Sequence, residues 1–154
     1  MHIRIICPGK TKQKFITLGV AEYVKRLSSY CKLEIIETAD VKLSSSNTID
    51  IVKQKESVII RKHLKRDNYV VALDEHGKQF TSEEFSGFID KYRGKRNLDF
   101  VIGGVYGLAE DLRKDADLLL GFSKMTFTHR MIRMLLVEQI YRGFCILNGK
   151  KYHY

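Results

Sequence analysis

Short runs of β-branched and aliphatic residues, each followed by a stretch with helical spacing, set the tightest limit on how this chain can fold. Ile3 to Ile6 and Leu33 to Ile36 are apolar runs flanking a helical segment from about Lys12 to Tyr30. Ser44 to Asn47 offers several N-caps for a long helix expected to end near Arg66. Along it Ile49, Val52, Ile59, Ile60 and Leu64 recur at roughly helical spacing. Tyr69 to Leu73 predicts the next strand, closed by the turn-prone Asp74-Glu75-His76-Gly77. Thr81 and Glu84 form a capping-box pattern at the head of a helix that Gly94 would stop. Leu98 to Ile102 and Asp117 to Leu120 predict two more strands, and a last helix runs from about His129 to Leu147. This alternation predicts an α/β fold: a mostly parallel open sheet with helices on both faces. Ligands in such sheets bind beyond the carboxyl ends of the strands, so the loops after Leu73, Ile102 and Leu120 are the candidates.

The loop after Ile102 is the most distinctive. Asp99 to Leu108 reads DFVIGGVYGL, an apolar run breaking into glycines. Glycine permits positive φ and removes the Cβ that keeps a ligand away, so the loop is either a tight turn or a binding loop. A dinucleotide fingerprint requires G-x-G-x-x-G and an acid about 20 residues later. Here the spacing is G-G-x-x-G, and Glu110, Asp111, Asp115 and Asp117 come too soon. No phosphate-binding G-x-x-x-x-G-K-[ST] occurs either, so a nicotinamide or P-loop enzyme fits poorly. Gly121-Phe-Ser-Lys-Met-Thr-Phe-Thr-His129, with no clear period, leads directly into the last helix, where Thr128 is a good N-cap. The free donors of that first turn would point back towards the glycine loop.

No repeat, low-complexity segment or Gly/Ser/Pro-rich linker interrupts the chain, so residues 1–154 are expected to form a single domain. No apolar run is long enough to span a bilayer and the N-terminus carries no cleavage-like signal, which predicts a cytoplasmic protein. Cys7, Cys31 and Cys145 lie far apart without a CxxC pair or clustered histidines, so they read as small buried thiols and no metal is expected. The 27 Lys and Arg against 18 Asp and Glu leave a net charge of +9, which points to a polyanionic partner, nucleic acid first. Charge alone does not say which one, and a generally solvated basic surface is the other reading.

The motifs taken together resemble the SPOUT methyltransferases, and within them the small family that methylates N3 of a pseudouridine in bacterial 23S rRNA. The likeness spans the chain: G-K-x-K at Gly9 to Lys12, A-E-Y-x-K-R-L at Ala21 to Leu27, L-D at Leu73-Asp74, and F-V-I-G-G-x-x-G at Phe100 to Gly107. It continues through F-S-K-M-T-F-x-H at Phe122 to His129, E-Q-x-Y-R at Glu138 to Arg142, and Tyr152-His153. The resemblance implies a homodimer, a C-terminal trefoil knot that generic topology rules would not suggest, and S-adenosylmethionine as cofactor. It implies that Leu73, Gly103, Gly104, Phe122, Ser123, Lys124, Met125, Thr126 and Phe127 line the cofactor site. On this reading the two glycines let the backbone press against the cofactor. One departure stands out: Thr128 occupies the position where the family usually has proline.

Methylation of a pseudouridine at N3 requires loss of a proton, which a general base or a stabiliser of developing charge assists. Candidate catalytic residues are Tyr152, His153, Arg142 and His129, all expected near the cleft. Each has a plainer alternative: a frayed tail for Tyr152-His153, a salt bridge to Glu138 four residues earlier for Arg142, and a structural hydrogen bond at the helix start for His129. Lys10, Lys12, Arg61, Lys65, Arg130 and Arg133 are candidate RNA contacts, with Arg61, Lys62, Lys65 and Arg66 expected to share one helix face. The last helix is apolar over a breadth that predicts a dimer interface. The expected partner is 23S rRNA within the assembled ribosome. Competing expectations are a non-catalytic basic ribosome-binding factor and a knotted tRNA methyltransferase.

Overall fold

Hydrogen bonding in the computed structural model, which describes residues 1–153, joins the apolar runs into one sheet. Its strands are β1 (His2–Pro8), β2 (Lys32–Thr38), β3 (Tyr69–Gln79), β4 (Leu98–Val101) and β5 (Leu118–Gly121), in spatial order β2-β1-β4-β3-β5. Every pairing is parallel, so successive strands are joined by crossovers rather than hairpins. Helices α1 (Lys14–Leu27), α2 (Ile49–Arg61), α3 (Ser82–Tyr92) and α4 (Glu110–Asp115) occupy them, and α5 (His129–Leu147) follows β5.

Alternate strand residues face opposite layers. Ile3, Ile5, Cys7, Leu98 and Phe100 pack with Phe85 and Ile89 of α3 and Leu136, Ile140 and Phe144 of α5. Ile6, Ala72 and Val101 pack on the other face with Ile60 of α2 and Leu112 of α4. Burial on both faces explains why the strands read as continuous apolar runs. At the amino ends of β1 and β4 one charge pair is buried, Arg4 donating through Nε to Asp99 Oδ1 at 2.8 Å.

Three local features depart from the sequence reading. Helix α2 is capped by Thr48, not by the serines before it, and ends at Arg61. Arg4 donates to the His63 carbonyl and Asp99 accepts from the Lys65 backbone N–H. These contacts pull the chain onto the buried ion pair and out of helical register, so Lys65 and Arg66 share no helix face with Arg61. Helix α4 was not anticipated; it is short and buries only Leu112. Strand β3 runs on through the expected turn at Asp74–Gly77, with Leu73 and Lys78 both opposite Leu120 across a bulge. The three cysteines are free and buried; burial pushes the thiols of Cys7 and Cys31 up to about 11, which leaves them unreactive.

Candidate active site

The carboxyl ends of β3, β4 and β5 open into a cavity of about 720 Å³. Its walls come from Leu73 and the bulge residues Asp74 and Glu75, the turn Gly103–Gly107, the segment after Gly121, and His129, Arg130 and Ile132 of α5; Gln13 closes one side. Eight of the nine residues expected to hold a cofactor line this one space: Leu73, Gly103, Gly104, Phe122, Ser123, Met125, Thr126 and Phe127. Lys124 is exposed and is not part of the wall.

Hydrogen bonds fix the walls. Thr126 Oγ1 donates to Glu75 Oε2 at 3.1 Å, tying the segment after β5 to the β3 bulge. Ser123 Oγ accepts from the Met125 N–H at 2.9 Å. Arg113 of α4 reaches Asp74 Oδ2 at 2.7 Å and neutralises it. Thr128 caps α5 by accepting from the Met131 N–H. β3 and β5 meet at two glycines: a Cβ on Gly77 would lie 2.6 Å from the Leu120 carbonyl carbon, and one on Gly121 would lie 2.7 Å from the Gly77 oxygen.

The same geometry corrects the role given to Gly103 and Gly104. Both line the cavity, but their absent Cβ atoms point elsewhere. A Cβ on Gly103 would lie 2.6 Å from the Gly107 carbonyl carbon, so the turn needs that space to close on itself. A Cβ on Gly104 would enter the carboxylate of Glu56, 2.9 Å from Oε1. Of the three glycines in this turn, only Gly107 has a positive φ, at +80°.

Two buried polar atoms on the cavity wall, Gln13 Oε1 and Arg130 Nε, have no hydrogen-bond partner among the described residues. Both residues line the cavity, and their unpaired buried atoms leave hydrogen-bonding capacity unused beside it. The His129 imidazole is held below its ordinary range by burial and by the positive charges of Arg133 and Arg130, against the opposing charge of Asp40. It is therefore neutral near pH 7 and free to accept a proton.

Tyr152, His153 and Arg142 are not at this cavity, contrary to the expectation. Glu138 accepts from Arg142 Nη2 at 2.6 Å and from the Tyr152 hydroxyl at 3.1 Å. His153 Nε2 lies 2.6 Å from Glu83 Oε1. Tyr23 lies 3.1 Å from the Tyr152 hydroxyl. These contacts hold the tail against α1, α3 and α5. Burial first, then the hydrogen bonds with Tyr23 and Glu138, raises the Tyr152 phenol, so it stays protonated and donates.

Two expected RNA contacts are also reassigned. Arg133 is 1 % exposed and donates to the Gly9 carbonyl, Thr11 Oγ1 and Glu37 Oε1. It is a strut holding the loop after β1 to α5. Arg61 is held by Asp115 at 2.7 Å and Asp111 at 3.2 Å. Lys10, Lys12 and Lys65 are exposed, and Lys10 and Lys12 sit on the loop that carries Gln13 to the cavity. Gln13, Asp74 and Glu75 were missed as site residues; only the L-D pair at Leu73-Asp74 signalled any of them. Among the described residues no cluster of His, Cys, Asp and Glu could hold a metal ion, and no helix is long and apolar enough to cross a membrane.

A family model described as a predicted SPOUT methyltransferase matches residues 1–153. The chain is 49% identical, over 99% of both sequences, to the Ribosomal RNA large subunit methyltransferase H of Clostridium botulinum (strain Langeland). The protein of the same name from Clostridium kluyveri is also 49% identical over 99% of both chains. Among solved structures, a probable methylase family protein from Haemophilus influenzae Rd KW20 superposes with a TM-score of 0.57 at 15% identity, covering 99% of this chain and 70% of that one. That likeness is one of fold.

Proposed function

The chain belongs to the SPOUT methyltransferase family, and from that membership we propose that it transfers a methyl group from S-adenosylmethionine to N3 of a pseudouridine in 23S rRNA. It acts as a cytoplasmic homodimer of single-domain protomers on assembled ribosomes, with the C-terminal part of each chain threaded as a trefoil knot. The rRNA assignment draws on relatives named ribosomal RNA large subunit methyltransferase at 49% identity over the full length.

The cavity carries this assignment. Its volume of about 720 Å³ suits a molecule the size of a nucleoside joined to an amino acid. Leu73, Ile102, Leu108, Leu120 and Phe122 supply apolar walls, and the backbone of the Gly103–Gly107 turn supplies polar edges. These residues fit S-adenosylmethionine, with the turn and the Phe122–Phe127 segment as its holders; when bound it supplies an electrophilic methyl group. His129, neutral and on the wall, accepts the N3 proton as the base becomes nucleophilic. Arg130, also on the wall, stabilises the charge that develops on the base. Alignment of the base against these groups supplies much of the rate.

Tyr152, His153 and Arg142 lie away from their own chain's cavity, so their part in the reaction is assigned across the dimer. Phe15 and Leu18 of α1 are 62% and 60% exposed. Gly19 packs so closely on Met134 of α5 that a Cβ would meet its sulfur at 2.5 Å. The exposed apolar face of α1 is thus continuous with half-buried Met131, Met134 and Leu135, and a second copy of the chain covers it.

Labelled methyl transfer tests the whole assignment, with ribosomes, free 23S rRNA and tRNA lacking the modification as acceptors. Label at a large-subunit pseudouridine in ribosomes is the expected result. Label confined to tRNA would make the chain a tRNA methyltransferase. Ribosome binding without transfer to any acceptor would make it a non-catalytic factor.

A further inference from the structure

Among the described residues, buried charges are compensated with one exception. Asp99 pairs with Arg4, and Arg133 is enclosed by Glu37 and backbone carbonyls. Glu56 is 6% exposed, yet no ion pair of the described residues includes it. Among the described residues its one hydrogen bond comes from the Val41 N–H to Oε1, at 3.3 Å. Burial raises the Glu56 carboxyl, opposed by the Val41 N–H and reinforced by Asp40. An unpaired buried carboxylate is unfavourable unless something complements it.

Its position indicates what does. The Glu56 carboxylate occupies the space that a Cβ on Gly104 would need, and Gly104 is part of the cavity wall. One backbone residue thus separates the charge from the cavity, and that residue is the one side-chain type that lets the carboxylate come so close. Of the acids on the wall itself, Asp74 is neutralised by Arg113, while Glu75 is exposed to solvent and accepts one hydrogen bond from Thr126.

We infer that Glu56 is the countercharge for a cationic ligand centre on the far side of the Gly103–Gly107 turn, the sulfonium of S-adenosylmethionine. It touches neither cofactor nor base and acts by its field through Gly104. This rests on the cofactor assignment above. The consequence is discrimination between the cationic methyl donor and its neutral-sulfur product, S-adenosylhomocysteine, which favours donor entry and product release.

Calorimetric affinities for the two molecules test it, because they share every group except the methyl and its charge. Glu56→Gln keeps the shape and removes the charge. It should lower the donor-over-product preference on the order of ten-fold, as expected for a unit charge at about 10 Å and an effective dielectric constant of about 20, while affinity for S-adenosylhomocysteine stays within about two-fold. Equal loss for both ligands would make Glu56 a strut for the Val41 loop and overturn the inference, as would an unchanged preference. Should Glu56→Gln fail to fold, the wild-type protein still decides. A buried countercharge keeps the preference between about 0.1 M and about 1 M salt, whereas a preference that fades would belong to exposed acids such as Glu75. Binding of neither molecule would remove the cofactor assignment itself.

Discussion

Arg133 reads in the sequence as one more cation of a basic chain, but it anchors the loop after β1 by donating to the Pro8 and Gly9 carbonyls and Thr11 Oγ1, and it ties that loop to Glu37 of β2. Removing one partner from a buried charge cluster leaves the rest unpaired. Arg133→Ala should therefore lower stability by about 3–5 kcal/mol in denaturant titrations, and a loss under about 1 kcal/mol would return it to the surface. His129 gives a pH signature. Its imidazole is held below the ordinary 6.5, so the unfolded chain binds a proton at higher pH than the folded one does. Its contribution to stability is complete above that ordinary value and is lost as pH falls through the window below it. His129→Asn should flatten the slope of unfolding free energy between about pH 7 and about pH 5; an unchanged slope would mean the imidazole is not desolvated.

Among the elements, α3 shows sequence and structure agreeing closely. The pattern at Thr81 and Glu84 forms a complete capping box: Thr81 Oγ1 accepts from the Glu84 N–H at 3.1 Å, and Glu84 Oε2 accepts from the Thr81 N–H at 2.7 Å. Thr81→Ala should cost about 1 kcal/mol, visible as a lowered denaturation midpoint with unchanged methyl transfer. At α5 the cap is Thr128, whose φ of −65° is already the value proline imposes. Thr128→Pro should leave affinity for S-adenosylmethionine within a few-fold, because a lost cap is offset by a stiffer entry to the helix. At the β3 bulge the outcome is opposite. Gly77→Ala forces a Cβ into the backbone of Leu120 and should destabilise the chain and weaken cofactor affinity together, since both cavity walls move.

At the scale of the whole molecule, one protomer has a cavity but keeps Tyr152, His153 and Arg142 elsewhere, which makes self-association the central test. Phe15→Asp with Leu18→Asp places charge on the exposed α1 face. Sedimentation velocity at micromolar concentration should give a dimer for the wild type and a monomer for the double variant, with methyl transfer lost and the fold retained by circular dichroism. A dimer that survives both substitutions would move the interface off α1.

The alternation of buried runs with helical spacing determined the α/β class, and the turn and cap residues Thr81, Gly94 and Thr128 determined where α3 and α5 begin or end. Those signals are local: period, capping chemistry and backbone freedom act within a few residues of each other. The segments after Leu73, Ile102 and Leu120 were legible as candidates for the same reason, because strand direction alone sends them to one end of the sheet, although the first proved to be a bulge within β3. What the glycines are for was not legible. Gly104 makes room for Glu56, 48 positions earlier in the chain, and Gly77 for Leu120. Nor could spacing show that Arg61 and Arg133 are bound by acids and carbonyls, or that Glu138 and Glu83 draw the Tyr-His tail from its own cavity. Each of these depends on contacts between segments distant in sequence, whose approach is fixed only when the sheet order and the two packed faces bring them together.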